Sequence, residues 1–352
     1  MDDVYFGVLR PNIIFELSSR SLVDQMSENL KSILIICPYP ERVAAGQRLK
    51  YEQYIAEWKI AGYEVDISPF MSRRMWQIAH RNGHWPEKVF WTCIGLGRRF
   101  IDIFRIRNYD LVYIHMYVNP LGNNILEWVV RKLARRIVYD LEDNRLLGAD
   151  QNTRGIAQIL RGTGKTRYLV KTADHVITSS PALRDLCLEL NLKKNCTYIT
   201  SSIDTDRFVP VNEYSNERKL AIGWTGTFST RPYLDLLRPV FIELRKRVDF
   251  KLVVIGNFEY EFPEMDLDVI QWSAENEVAD LQKIDIGVYP LPMDDWVMGK
   301  SGLKAIQYMA FGLPCVASNI STVQQFIVDG DNGCLVDNDD QWVDRLVELI
   351  DD

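Results

Sequence analysis

Long apolar runs are missing from this sequence of 352 residues, and none approaches the roughly 20 residues that a membrane-spanning helix needs. A leader-like start is missing too, because the chain opens with Met-Asp-Asp and places Arg10, Glu16, Arg20 and Asp24 among its first apolar residues. The composition, 47% hydrophobic and 25% charged, is typical of a globular protein. We therefore expect a cytoplasmic protein without a transmembrane helix.

Paired cysteines are also absent. The six cysteines are scattered along the chain without a Cys-x-x-Cys pair, so the sequence indicates neither a zinc site nor a disulfide framework. Asp-x-Asp pairs occur at Asp204/Asp206 and Asp266/Asp268, but this spacing arises easily by chance. We expect free thiols and no metal.

An excess of basic residues is absent as well. The net charge of −7 argues against a nucleic-acid partner, because a phosphate backbone requires a basic surface. Residues 73–107 are the exception, with eight basic residues against Glu87 and Asp102 and with six aromatic residues interleaved. Two interpretations stay open: peripheral contact with the inner face of an anionic membrane, or helices that bury their aromatic residues and expose their arginines.

Strand-like apolar runs alternate with helix-like segments along the chain, which predicts an α/β fold with two Rossmann-like domains facing across a cleft. Predicted strands cover 32–37, 62–67, 111–115, 136–139 and 175–178, then 220–224, 251–256, 268–270, 284–289 and 314–317. A helix is predicted from Arg48 to Ala61. No Gly-x-Gly-x-x-Gly follows the first strand, which disfavours an NAD-linked oxidoreductase.

The polar stretch after the first series of strands marks the boundary between the two predicted domains. We predict an N-terminal extension over 1–31, a first Rossmann-like domain over 32–205, a linker over 206–219 and a second Rossmann-like domain over 220–352.

The most informative segment is a glycine-containing loop that opens a helix at residues 296–318. Gly299 and Gly302 permit close approach of backbone to a ligand, and the apolar residues that follow recur at helical spacing. A helix start presents unpaired N–H groups to an anion, and Lys300 and Lys304 add full positive charge. The segment predicts a diphosphate site.

With this segment the chain resembles the GT-B glycosyltransferases, in particular the retaining family four, over almost all of its length. In that family a glutamate lies near the helix start, and a second one, eight positions later, binds the ribose of the nucleotide. Here Gly299 and Gln307 occupy these positions, and a neutral amide binds a hydroxyl less strongly than a carboxylate does. The resemblance implies donor contacts at Gly299, Lys300, Ser301, Lys304 and Gln307. It implies a nucleoside-diphosphate sugar as donor substrate and no separate cofactor, with 32–205 as the acceptor domain and 220–352 as the nucleotide-sugar-binding domain.

Three further loops resemble the family at matching places. Gly46 lies in the loop after the first strand, where relatives bring backbone to the sugar diphosphate, and His115 ends a strand where relatives carry a histidine that contacts the donor sugar. The loop 223–231 offers Thr225, Gly226, Thr227 and Arg231 as phosphate ligands, although an ordinary capped turn is the alternative. Relatives place an arginine and a lysine in this loop, so Lys300 is expected to take over part of the charge.

Carboxylates cluster where the strand at 136–139 ends. Asp140 and Asp143 are candidates for accepting a hydrogen bond from an incoming sugar hydroxyl or for acting as a base, and capping of the next helix is the alternative. Together with His115 and Lys300 they are the predicted catalytic residues.

The resemblance implies transfer of a sugar, with retention of configuration, to a glycan or a lipid-linked acceptor in polysaccharide biosynthesis. Two alternatives stay open: a nucleotide-sugar epimerase of similar fold, and a non-catalytic nucleotide-sugar-binding partner. Relatives continue with further helices after the segment that corresponds to 342–350, so we expect a C-terminal domain shortened at that end.

Overall fold

The computed structural model describes residues 31–79, 81, 83–121, 124–144, 146, 163–210 and 218–351. Its strands are β1 Ser32–Cys37, β2 Glu64–Pro69, β3 Leu111–His115, β4 Ile137–Leu141, β5 His175–Thr178, β6 Cys196–Tyr198, β7 Ala221–Gly226, β8 Lys251–Gly256, β9 Leu267–Gln271, β10 Ile286–Tyr289, β11 Cys315–Ser318 and β12 Cys334–Val336. Its α-helices are α1 Ala45–Arg48, α2 Ile55–Ile60, α3 Arg73–Ala79, α4 Trp85–Arg105, α5 Ile125–Leu133, α6 Thr163–Thr172, α7 Pro181–Leu190, α8 Arg231–Asp235, α9 Arg238–Leu244, α10 Glu277–Leu281, α11 Leu303–Ala310 and α12 Asp339–Asp351. Short 3-10 helices cover Glu52–Tyr54, Ile106–Asn108, Val297–Gly299 and Ser321–Gln325.

The strands form two parallel sheets of six strands each. The first has the order β2-β1-β3-β4-β5-β6 and the second the order β12-β11-β10-β7-β8-β9. Strand order reverses between β1 and β3 and between β7 and β10, and ligands of open α/β sheets bind outside the carboxyl ends of the strands at such points. The ends of β1, β3, β7 and β10, together with the segments that follow them, carry most of the predicted site residues. The topology therefore confirms the α/β prediction and places these parts of the chain at the two reversals.

Buried strands are the part of the fold that the sequence predicts best. β1, β3, β5 and β8 have the predicted bounds, and the other predicted strands differ by one or two residues at one or both ends. The edge strands β6 and β12 were not predicted, because each has only three residues, too few for a strand pattern to be recognised. Residues 1–30 of the predicted extension and 211–217 of the predicted linker lie outside the described residues, and the domain boundaries stay predictions.

The predicted helix from Arg48 to Ala61 is wrong as a single element. The chain forms α1, leaves helical geometry near Leu49 and Tyr51, and resumes with a 3-10 turn and α2. Leu49 packs into the core beneath the second sheet, whereas Tyr51 packs against the first. Because neighbouring side chains serve two domains here, one amphipathic helix face cannot accommodate them.

A packed aromatic ring fixes helix α11 on the second sheet. Tyr308 is fully buried, its ring lies against Gly287 of β10, and its hydroxyl accepts a 3.1 Å hydrogen bond from the backbone N–H of Thr225. The start of α11 is therefore held at the carboxyl edge of the second sheet. Among the described residues, no helix combines the length and apolarity required to cross a membrane.

Candidate active site

A buried polar network lies at the carboxyl ends of β3 and β4. His115 is only 1% exposed, and its Nδ1 lies 2.9 Å from the Asp140 carboxylate. The same carboxylate accepts a 2.6 Å hydrogen bond from the Tyr113 hydroxyl and forms an ion pair with Lys50. Asp140 therefore fixes the orientation and tautomer of the His115 ring, as a carboxylate behind an imidazole commonly does.

The two carboxyl groups nearest His115 have opposite protonation tendencies. Burial acts to raise the pKa of Asp140, but Lys50 and His115 outweigh it and hold that pKa below its usual value. Burial raises the pKa of Glu142, and the electrostatic interaction with His115 only partly offsets this. The Glu142 carboxylate lies 3.7 Å from Nε2 of His115. The network therefore combines Asp140, which stays ionised, with Glu142, whose carboxyl group is suited to exchanging protons.

The predicted diphosphate segment lies at the seam between the two domains. Lys300 follows the 3-10 helix Val297–Gly299, and its Nζ donates a 2.8 Å hydrogen bond to the Asp143 carboxylate of the first domain. Burial acts to lower the pKa of Lys300, but Asp143 outweighs it, so the pKa is raised and the side chain stays charged. Two residues from the predicted catalytic set, Lys300 and Asp143, are thus brought into contact.

Lys304 lies one turn further along, in the first turn of α11, without a carboxylate contact among the residues that the structure describes. Its Nζ lies 5.4 Å from the ring centroid of Tyr289 and 5.8 Å from that of Trp224. Burial, together with repulsion from Lys300, lowers its pKa to about 8. The Asp143 carboxylate only partly offsets these two effects, and a bound anion would supply a further counter-charge.

First-domain residues hold the same segment through its backbone. The Ser179 hydroxyl contacts the Gly299 carbonyl at 2.7 Å, and the Ser180 hydroxyl donates to the Met298 carbonyl at 2.7 Å. The Thr200 hydroxyl donates to the carbonyl of Ser301 at 3.0 Å. These contacts place the carboxyl edges of the two sheets against each other.

A buried carboxylate, Glu277, links the predicted ribose-binding residue to the first domain. Arg48 donates two hydrogen bonds to it, at 2.9 and 2.7 Å, and both side chains are buried. The Gln307 amide lies 3.5 Å from the same carboxylate. Gln307 therefore lies in the seam, beside an ion pair that joins residues 229 positions apart in the sequence.

The loop after β7 is bonded mainly to itself. The Thr227 N–H donates to the Thr230 hydroxyl at 3.0 Å, and the Thr227 and Ser229 hydroxyls lie 2.8 Å apart. Arg231 is half-exposed and lies 3.6 Å from Asp235 of its own helix. The turn leads into α8, and its N-cap residue Thr230 makes no side-chain cap hydrogen bond. Phosphate binding by Thr225, Gly226, Thr227 and Arg231 stays a prediction.

Three glycines predicted to face a ligand lie against protein groups. A Cβ on Gly46 would come within 2.2 Å of the Glu142 carboxylate, one on Gly226 within 2.1 Å of the Trp224 ring, and one on Gly299 within 2.6 Å of the Asn144 backbone nitrogen. Gly46 and Gly299 are thus positions where the two domains, or two loops of the site, approach each other closely.

Sequence reasoning missed Lys50, Arg48 and Glu277 as members of this site. Their partners are distant in the sequence, so no local spacing reveals them. A buried charged residue inside a predicted amphipathic helix, such as Arg48 or Lys50, was the one available signal. Among the described residues, no group of three or more His, Cys, Asp or Glu side chains could hold a metal ion.

Comparisons with known proteins agree with this architecture. Residues 219–352 match the family model described as "Glycosyl transferases group 1". An uncharacterized glycosyltransferase of Methanocaldococcus jannaschii is 24% identical over 210 residues, which cover 55% of this chain and 56% of that protein. The chain thus spans little more than half the length of this curated relative.

Solved structures match over most of the chain. Sucrose-phosphate synthase from Thermosynechococcus elongatus superposes with a TM-score of 0.65 at 15% identity, covering 92% of this chain and 90% of that one. HepE of Anabaena, solved in complex with UDP, superposes with a TM-score of 0.55 at 13% identity, covering 92% and 90%. These superpositions show that the chain has the GT-B fold, whereas the group 1 family model matches residues 219–352, which are less than half of the chain. Family four and retention of configuration remain predictions.

Proposed function

We propose that this protein is a glycosyltransferase that moves a sugar from a nucleoside-diphosphate sugar to a glycan or lipid-linked acceptor, with retention of configuration. One observation carries the proposal: two lysines at the start of α11, one with no carboxylate contact among the described residues, face a carboxylate-rich edge across a domain seam. The group 1 match and the UDP complex of a structural neighbour support the donor class.

The lysine side stabilises the leaving group. As the bond between the anomeric carbon and the phosphate oxygen breaks, negative charge grows on the diphosphate and positive charge grows on the sugar ring. Lys300, Lys304 and the N–H groups at the start of α11 offset the negative charge, and preorganised groups of this kind usually supply the largest catalytic contribution. Gln307 hydrogen-bonds the ribose.

The carboxylate side positions the sugar and accepts a proton. Asp140 has its charge satisfied by Lys50 and Tyr113, so it acts as a positioning residue that orients His115 towards the donor sugar. Glu142, whose raised pKa suits proton exchange, takes up the acceptor hydroxyl proton near His115. Asp143 exchanges Lys300 for a substrate hydroxyl once the diphosphate is bound. Attack on the same face of the sugar as departure, without a protein nucleophile, gives retention.

Ligand screening combined with product analysis tests this function. UDP-, GDP-, ADP- and dTDP-sugars are added separately, and a donor that binds the folded state raises the melting temperature. The donor identified in this way is then incubated with and without an acceptor panel, and the anomeric configuration of the product is read by NMR.

Each outcome has a defined meaning. A product that retains the donor configuration, formed only with acceptor, supports the proposal. An altered sugar nucleotide without acceptor indicates the epimerase alternative, and stabilisation without turnover over the whole panel indicates a non-catalytic binding partner.

A further inference from the structure

Helix α4 presents an apolar face to solvent. The exposed residues of this 21-residue helix are all non-polar: Trp85, Pro86, Val89, Phe90, Cys93, Ile94, Gly97, Phe100, Ile101 and Phe104. The exposed fractions of Trp85 and Phe104 are 73% and 71%. The interpretation of residues 73–107 as helices that bury their aromatic residues is therefore wrong for α4, since continuous exposed apolar faces of this size mark interaction surfaces.

Charged residues occupy the inward face of the same helix. Arg99 is 1% exposed and donates hydrogen bonds to the carbonyls of Val118, Ser68 and Cys37, and it pairs with Asp102 at 3.0 Å. The buried charge is fully compensated, as buried ion pairs must be to persist. The helix is thus fixed to the first sheet by its polar side, and its apolar side remains for a partner.

Basic residues border one margin of the apolar face. With about 3.6 residues per turn, Arg98 and Arg105 lie along this margin, whereas Lys88 lies on the inward side of the helix and donates a 2.6 Å hydrogen bond to the Arg81 carbonyl. Lys88 Nζ lies 5.5 Å from the ring centroid of Trp85, which places a cation beside an exposed aromatic ring. Arg73 and Arg107 are exposed nearby in the sequence, and Glu87, the one acidic residue of α4 besides Asp102, is paired with Arg74 at 2.6 Å.

We propose that this face of α4, the apolar face, inserts shallowly into an anionic lipid surface, with the helix lying parallel to it. Apolar side chains enter the acyl boundary while the bordering arginines contact anionic headgroups, as in interfacial helices. A second copy of this chain is a less suitable occupant, because two such faces would bring their basic borders together.

The position of α4 brings its apolar face near the candidate active site. Arg99 ties the helix to the Cys37 carbonyl, at the carboxyl end of β1, and to the Val118 carbonyl, three residues beyond the end of β3. A lipid surface under α4 therefore lies beside the edge that carries His115. This step rests on the proposed function, since it places a lipid-linked acceptor beside His115 and Glu142, where the acceptor hydroxyl is proposed to lose its proton.

Vesicle sedimentation without donor or acceptor tests the lipid contact independently of any transferase activity. The protein is mixed with vesicles of phosphatidylcholine alone or of phosphatidylcholine with phosphatidylglycerol. We expect binding to the anionic vesicles only, and a large reduction at about 1 M salt, where charges are screened beyond about 3 Å.

Two matched sets of substitutions identify the surface. Phe100→Ser/Ile101→Ser/Phe104→Ser removes three exposed side chains of the apolar face, and we expect the vesicle partition coefficient to fall about tenfold or more. Ile60→Ser/Leu192→Ser/Val328→Ser removes three exposed apolar side chains elsewhere, and we expect wild-type binding. Arg98→Gln/Arg105→Gln should reduce the preference for anionic over neutral vesicles.

Melting curves confirm that each variant is folded, which is expected because the replaced apolar side chains are exposed. Equal vesicle binding by the two triple variants would overturn the proposal. So would a wild-type dimer, measured by light scattering, that only the α4 triple variant dissociates, since the occupant would then be a second copy. Sugar transfer in the presence of failed vesicle binding would leave the proposed function intact.

Discussion

The charged side chains on the two sides of the domain seam differ in which domain supplies their counter-charge. The acidic segment, residues 140–143, balances its buried Asp140 with Lys50 and His115 of its own domain. The lysine segment, residues 300–304, has Asp143 of the opposite domain for Lys300 and aromatic rings for Lys304. Asp140 is therefore balanced within its own domain, whereas Lys300 depends on Asp143, a group from the opposite domain.

The difference separates structural charges from functional ones. A buried ion pair inside one domain is retained when the domains part, and it mainly orients His115. A cation whose counter-charge comes from across a seam is available to an anionic ligand as soon as that counter-charge moves away. The lysine segment is therefore the side on which a diphosphate is expected.

The largest effect is expected from breaking the balance inside the acidic segment. Asp140→Ala leaves Lys50 buried without a partner, and loss of one member of a buried pair costs about 3–5 kcal/mol of unfolding free energy. Urea denaturation measures this loss. Asp268→Ala, which removes a carboxylate 3.4 Å from Lys251 at the surface, is the control and should stay within about 0.5 kcal/mol of wild type. Similar stability of the two variants would remove the distinction between the segments.

Removal of Lys300 tests the lysine segment directly. Lys300→Ala should lower kcat by about 10²–10³-fold, as loss of one transition-state contact commonly does. The measurement is steady-state transfer with the donor identified by screening, and Lys283→Ala, at an exposed lysine paired with Asp280, is the control. Unchanged turnover with donor bound would exclude Lys300 from the mechanism.

Rising pH should weaken donor binding through Lys304. Its pKa in the free protein is about 8, so above that pH the side chain is neutral and must take up a proton to hold a diphosphate. Affinity should therefore be fully present below pH 8 and fall about tenfold between pH 7 and 9, following proton linkage. Calorimetry at several pH values measures this, and Lys304→Met should bind weakly with a flat profile. A sloping profile in that variant would assign the titration to another group.

The smallest effect is expected from releasing the contact across the seam. Asp143→Asn keeps the shape of the side chain but frees Lys300, and because such a partly exposed pair is worth about 0–1 kcal/mol, donor affinity should rise by no more than about fivefold. Calorimetry gives the affinity, and kcat measured in parallel distinguishes the two roles of Asp143. A large fall in kcat with unchanged affinity would show that Asp143 acts in the chemical step instead.

The sequence predicts the fold better than the site for a physical reason. Ser32–Cys37 and Lys251–Gly256 are buried strands whose apolar residues are consecutive, so each is visible in a short window. The Arg48–Glu277 pair and the contact of Ser179 with Gly299 join residues from different domains, and their partners become apparent only after folding. Lys300 was found because glycines and a helix start surround it locally, whereas Lys50 has no such neighbours.

Gly299 lies so close to Asn144 of the opposite domain that a side chain at position 299 would limit how closely the two domains approach each other. A methyl group there meets a backbone atom of the opposite domain, which cannot rotate aside as a flexible side chain can. The bulk of residue 299 thereby sets how far the two domains come together. An alanine at position 299 would keep the two domains apart, so we expect crystals of the Gly299→Ala variant to show a more open arrangement of the domains.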